Sequence, residues 1–275
     1  MKLCWDGLEF TPPEDYTPVE LSTGFVHLTS SSGKTIDLRF GMVDKNFQPD
    51  RDGRRLLAAA RIPVESIQLC QDPWVESLAG KLFGGSRLWV LQWSKQQAVL
   101  AALFSFAPSR EFVSAFFSSV TFTCPGKWRT WRFHGLSFAT PPELLLTKVD
   151  MQPGRIRLSF AQKYTTVVIE RLNPANVLID KENLLSWGKR NLTASLGSGI
   201  EFRHQLDEEN IEFYRPPSWR YRLAPGIVQQ TQPLAGSLRH QKTTNSLLLI
   251  VAQGKPMDSA DWRELQNSYV TLGSE

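Results

Sequence analysis

The stretch GLEFTPPE at Gly7–Glu14 returns as GLSFATPPE at Gly135–Glu143, with one residue inserted before the second proline pair. A repeat half a chain apart constrains the fold more than composition does, because each copy must open the same kind of unit. Further stations follow in the same order. FVHLTSSSGKTIDLRF (Phe25–Phe40) and MQPGRIRLSF (Met151–Phe160) both end in an alternating strand, with Ile36, Leu38 and Phe40 matched to Ile156, Leu158 and Phe160. RRLLAAARIPVES (Arg54–Ser66) is matched to YTTVVIERLNPAN (Tyr164–Asn176), and the β-branched second copy argues strand for both.

DPWVESLAGKLFGGSRLWVLQW (Asp72–Trp93) and DKENLLSWGKRNLTASLGSGIEF (Asp180–Phe202) each start at an N-capping aspartate, carry a helical stripe and end in a glycine turn before a strand. The stripes are Val75, Leu78 and Leu82 in the first copy and Leu184, Leu185, Trp187 and Leu192 in the second. Ala98–Phe122 and Ser246–Leu272 both read as apolar strand, proline, capped helix and closing strand, with Phe112 in the place of Trp262 and Val120 in that of Val270. The predicted units are 1–123 and 129–275, joined by CPGKW (Cys124–Trp128). Each reads as β-β-β-β-helix-β-β-helix-β, which predicts an α+β fold of two tandem repeats, each an antiparallel sheet flanked by helices.

The totals agree with two folded domains: 275 residues, 41% apolar and 21% charged. The charge of +4 is a small surplus, since 31 basic side chains face 27 acidic ones, and a nucleic-acid footprint needs clustering instead. Cys4, Cys70 and Cys124 form no CxxC pair and no even set, which argues for a reducing, cytoplasmic setting. The N-terminus reaches Asp6 and Glu9 before any signal-peptide core forms, and no apolar run approaches the roughly 18 to 20 residues of a membrane span.

The opening strand, proline turn and hairpin, with the closing SREFVSAFFSSVTF or DSADWRELQNSYVTL, resemble the PsbP-like superfamily. That family takes its name from an extrinsic photosystem subunit and also holds a Ran-binding transport factor and effector chaperones. It has no shared active site and its better-understood members bind proteins. The resemblance therefore implies a binding role by fold analogy, with no catalytic residues to carry over.

Chemical signatures are weak. FGGS (Phe83–Ser86) and GSG (Gly197–Gly199) follow predicted helices, so they read as helix C-caps before anion cradles. His27, His134, His204 and His240 have no metal-ligand spacing, and Glu208 and Glu209 sit in a predicted hairpin turn. No nucleophile elbow, Walker loop or dinucleotide fingerprint is present, so neither an enzyme nor a cofactor is expected.

Two basic and aromatic stretches break the symmetry of the halves: GKWRTWRF (Gly126–Phe133) and PPSWRYRLAPG (Pro216–Gly226), the latter in a segment, 213–233, with no counterpart in the first half. Aromatics entering the core while arginines face water is the plain account of both. As a surface, Trp128, Trp131, Trp219, Arg220, Tyr221 and Arg222 form the candidate contact set for a protein partner. The alternatives are single-stranded nucleic acid on the same residues, and an enzyme whose site draws on both domains.

Overall fold

This computed structural model describes residues 2–42, 68–70, 80–84, 88–93, 98–123, 126–180, 182–204, 209–217 and 232–272. The chain divides into two compact units, Met1–Pro125 and Gly126–Glu275. In the first lie β1 (Leu3–Trp5), β2 (Leu8–Phe10), β3 (Tyr16–Ser22), β4 (Phe25–Ser30), β5 (Thr35–Met42), β6 (Gln68–Cys70), β7 (Gly80–Gly84), β8 (Leu88–Trp93), β9 (Ala98–Phe104), helix α1 (Arg110–Ser118) and β10 (Thr121–Phe122). In the second lie β11 (Arg129–Phe133), β12 (Leu136–Thr140), β13 (Leu145–Gln152), β14 (Arg155–Gln162), β15 (Thr165–Leu172), α2 (Ala175–Ile179), α3 (Leu184–Leu196), β16 (Glu201–His204), β17 (Asn210–Arg215), β18 (Leu234–Gln241), β19 (Ser246–Gly254), α4 (Ser259–Ser268) and β20 (Val270–Thr271).

The expected helix-flanked α+β fold is corrected: the protein is mostly β. Among the described residues each unit holds a seven-stranded antiparallel sheet, ordered β3-β4-β5-β9-β8-β7-β6 in the first and β13-β14-β15-β19-β18-β17-β16 in the second. Each also has a smaller antiparallel set, β10-β2-β1 and β11-β12-β20. Part of the error is local. Leu82 was expected in a helical stripe, yet Gly80–Gly84 is a strand paired with β8. Gly80, Gly84 and Gly85 crowd that stretch of sequence, each costing a helix about 1 kcal/mol against alanine. Val75 and Leu78 of the expected stripe and Gly85 and Ser86 of FGGS lie outside the described residues, while Gly197 does cap α3, its N–H donating to Thr193 O.

The matching of strands also shifts. Gly24 and Gly154 both have positive φ, and an added Cβ would lie 2.6 Å from the carbonyl oxygen of Phe40 and of Asn173. Those same two residues donate their backbone N–H to Gly24 and Gly154. GFVHLTS therefore corresponds to GRIRLSF, and Thr35–Met42 to Thr165–Leu172, one strand away from the sequence matching. Arg54–Ser66 lies outside the described residues.

The repeated GLEF and GLSF are the second strands of hairpins. Asp6-Gly7 and His134-Gly135 are consecutive positive-φ pairs, as a type I′ turn needs. Gly7 O and Gly135 O then accept from Thr123 N and Leu272 N beside the closing strands, which places Val120 opposite Tyr269 in the correspondence. Ser119 and Ser268 end α1 and α4 in the same way, each Oγ donating to a helical carbonyl and accepting the N–H of Thr11 or Ala139.

In each unit one face of the large sheet meets the hairpin and the closing helix. Phe10 and Phe104 both pack edge-on against Phe116, and Phe160 packs against Trp131 and Phe138. The opposite face in the second unit is covered from β15 to β17 by α2 and α3. Asn183, not the expected Asp180, caps α3 by accepting from Ser186 N. Leu184, Trp187 and Leu192 then meet Ile211, Phe213, Leu238 and Leu249.

Gly154→Ala should lower unfolding free energy by about 1–3 kcal/mol in denaturant titrations, through backbone strain. Gly7→Ala, where an added methyl meets nothing within 4 Å, should cost about 1 kcal/mol from φ alone. Burial, then nearby Arg171, pulls the His134 imidazole below its ordinary 6.5. The unfolded state thus binds the proton first, so this contribution is complete above about pH 6.5 and is lost as pH falls below it. His134→Asn, which tolerates the turn's positive φ, should flatten the acid side of a Tm-versus-pH curve.

Candidate functional site

Of the residues singled out in the sequence, Trp131 is fully buried: its Nε1 donates to Thr140 Oγ1 at 2.9 Å and its ring stacks on Phe138. Alternate positions of β11 point inward, so Trp131 and Phe133 belong to the core and offer no contact surface. Trp128 precedes that strand and is half-buried. Trp219, Arg220, Tyr221 and Arg222 lie outside the described residues.

The base of their segment is described. Arg215 ends β17 and is buried; its Nε donates to Gln232 O at 3.0 Å, and Nη1 donates to Leu196 O and Ser198 O at 2.9 and 3.1 Å. A guanidinium at the C-terminus of α3 meets carbonyls left over by the helix and the negative end of its dipole. Burial still draws its pKa below the usual arginine value.

A different surface emerges from the alternation of β13 and β14. Inward residues Ile156, Leu158 and Phe160 are buried, so Arg155, Arg157 and Ser159 must take the other face. Register places Gln152, Asp150 and Lys148 directly opposite them on β13. This is the face that α2 and α3 cover farther along the sheet, so Lys148, Asp150, Arg155, Arg157 and Ser159 line an open concavity of about 370 Å³ beyond them.

At the boundary sits Glu170 on β15, which faces Leu249 on one side and Arg157 on the other in the ladder. It is 5% exposed. Arg155 Nε donates to its Oε1 at 2.6 Å, and Arg157 Nη1 lies 3.6 Å from Oε2. A buried carboxylate needs such partners, and in turn it holds both guanidiniums at the rim. Asp150 accepts from Gln152 Nε2 at 3.1 Å, which leaves Lys148, a third cation, in the lining with Ser159. The arrangement suits an oxyanion carried by a ligand of side-chain size.

The corresponding place in the first unit holds His27 on β4 and Asp37 on β5, cross-strand partners whose Nδ1 and Oδ1 are hydrogen-bonded. Thr29 Oγ1 lies 3.2 Å from the other ring nitrogen, and Arg39 covers the Phe25 ring. Acid, imidazole and hydroxyl thus stand in line. In sequence His27 stands alone because its partner is on the next strand. The apolar members of RIRLSF mark the strand, and the R-x-R-x-S alternation on its other face is the available signal for the site, but nothing local ties it to Glu170. Of the turn charges, Glu208 lies outside the described residues and Glu209 pairs with Lys242 at 2.5 Å. Among the described residues no group of three or more His, Cys, Asp or Glu could hold a metal ion, and no helix is long and apolar enough to cross a membrane.

Glu170→Gln should cost about 1–3 kcal/mol in unfolding free energy, since one neutral oxygen replaces a carboxylate between two guanidiniums. The Arg155 Nε–H resonance should lose its strongly hydrogen-bonded shift in the same variant.

No protein-family model and no curated protein matches the sequence. Among solved structures, the Ran-binding protein Mog1p of Saccharomyces cerevisiae aligns at 7% identity and a TM-score of 0.37, over 53% of this chain and 96% of its own. A mutant of protein Mog1 aligns at 7% identity and 0.36 over the same shares. Each thus spans about half of this chain. A likeness at that level carries nothing about partners.

Proposed function

We propose that the chain is a non-enzymatic protein-binding module, an adaptor or a chaperone, whose second unit receives an acidic segment of its partner on the polar face of β13 and β14. The observation that carries this reading is the pair of guanidiniums of Arg155 and Arg157 engaged by buried Glu170 beside Lys148. Pre-set cations lose little side-chain entropy when a carboxylate arrives, and Arg suits such contacts better than a freely rotating ammonium. Asp150 in the same lining opposes a continuous phosphate backbone, and the lining holds no aromatic ring for base stacking. Those two features favour an acidic protein segment over single-stranded nucleic acid there.

The aromatic and basic set of Trp128, Trp219, Arg220, Tyr221 and Arg222 stands as a second proposed contact set.

An oligoglutamate peptide titrated by fluorescence anisotropy should bind, and Lys148→Glu with Arg157→Glu should weaken it about tenfold or more. Equal affinity for that double variant would remove this face from the contact surface. An oligothymidine bound more tightly, with affinity falling steeply in salt, would replace the reading with a nucleic-acid one. For the second patch, partner capture unchanged by Trp219→Ala and Arg220→Ala together would exclude it.

A further inference from the structure

We infer that β13 is extended by strand addition: a partner segment, acidic at one set of alternate positions and apolar at the other, pairs along Lys148–Gln152. This rests on the polar face being the contact surface, and it names the geometry of that contact.

β13 ends the strand order of its sheet among the described residues. Its pairing with β14 slips once, between Leu146 and Lys148, and is then regular from Lys148↔Ser159 to Gln152↔Arg155. Along that regular run the two margins differ. On one face are Lys148 and Asp150 with Arg155 and Arg157 behind them. On the other, Val149 and Met151 are only half-buried, although the residues they face on β14, Leu158 and Ile156, are 1% and 7% exposed. A strand laid beside β13 would cover Val149 and Met151 with its apolar set and bring its other set beside Lys148 and Asp150, within long-side-chain reach of Arg155 and Arg157 one strand behind. Backbone pairing would then supply affinity, and the alternate side chains selectivity.

Edge strands of folded proteins are guarded against such pairing by prolines and bulges. The corresponding strand in the first unit, β3, carries Pro18 at its register shift, which removes a backbone donor. β13 has a bulge near its start and no proline from Leu145 to Gln152. Of the two equivalent edges, the second unit's is the one chemically open to a new strand. The three cations Lys148, Arg155 and Arg157, set against Asp150 and the shared Glu170, select acidic side chains on the added strand.

The test uses the full chain and three labelled peptides, each as long as β13, eight residues. One alternates Glu and Val, one has the same composition with all Glu first, and one is all Glu. The alternating peptide should bind at least about fivefold more tightly than the block peptide, and at saturation alternate amides of Lys148–Gln152 should exchange at least about tenfold more slowly. Val149→Lys and Arg157→Glu, each confirmed folded by its melting curve, should both weaken it. Equal binding of the block peptide, or unchanged β13 exchange at saturation, would overturn strand addition. If the all-Glu peptide binds as well as the alternating one without slowing exchange, the acidic-segment reading stands and this one falls; if no acidic peptide binds, both fall.

Discussion

Glu170 sits where the large sheet of the second unit changes character. Its carboxylate is buried beside the apolar cluster that α2 and α3 build on that face, yet it is also the acceptor for Arg155, with Arg157 close by. Its backbone oxygen, on the other side of the same strand, accepts the phenol of Tyr269 at 2.8 Å. That phenol is fully enclosed, and burial pushes its pKa up, so it remains a donor. One residue thereby joins the layer that closes the hairpin face to the charge cluster on the helix face. Moving the carboxylate would leave two guanidiniums without their shared acceptor and would blur the line between covered and open sheet.

The two units use this frame differently. Both have the same strand order, the same positive-φ glycine just before the fourth strand, and the same serine at the end of the closing helix. Where the second places Arg157 against Glu170, the first places His27 against Asp37. The shared scaffold therefore carries an arginine-rich polar face in one unit and a hydrogen-bonded Asp37–His27–Thr29 set in the other. Proline placement adds a second distinction, since Pro18 stands in β3 and β13 has none.

Much of the local structure was legible from residues alone. The paired GLEF and GLSF motifs, the diproline turns and the closing helices with their small polar ends follow from dihedral preference and period, which act within a few residues. The stripe through Leu184, Trp187 and Leu192 did face the core. The failures have physical reasons too. Alternating strands resemble one another, so TIDLRF matched RIRLSF in pattern while the hydrogen bonds of Gly24 and Gly154 assign its place to the following strand. Trp131 stood in sequence both as a core aromatic and as a candidate contact residue, and strand parity turned it inward onto Phe138 and Phe160.

By itself the sequence determined that two units would open on the same strand and diproline turn, and that positive φ would be tolerated at Gly7 and Gly135. Those outcomes depend on φ tolerance and on alternation, both properties of neighbouring residues. Only the tertiary structure decided which half of a polar sheet face stays open, which strands end each sheet among the described residues, and that Arg155 and Arg157 share Glu170. Each depends on strands brought together from distant parts of the chain, as β15 is with β19, and burial of a charge is settled by those neighbours rather than by the residue that carries it.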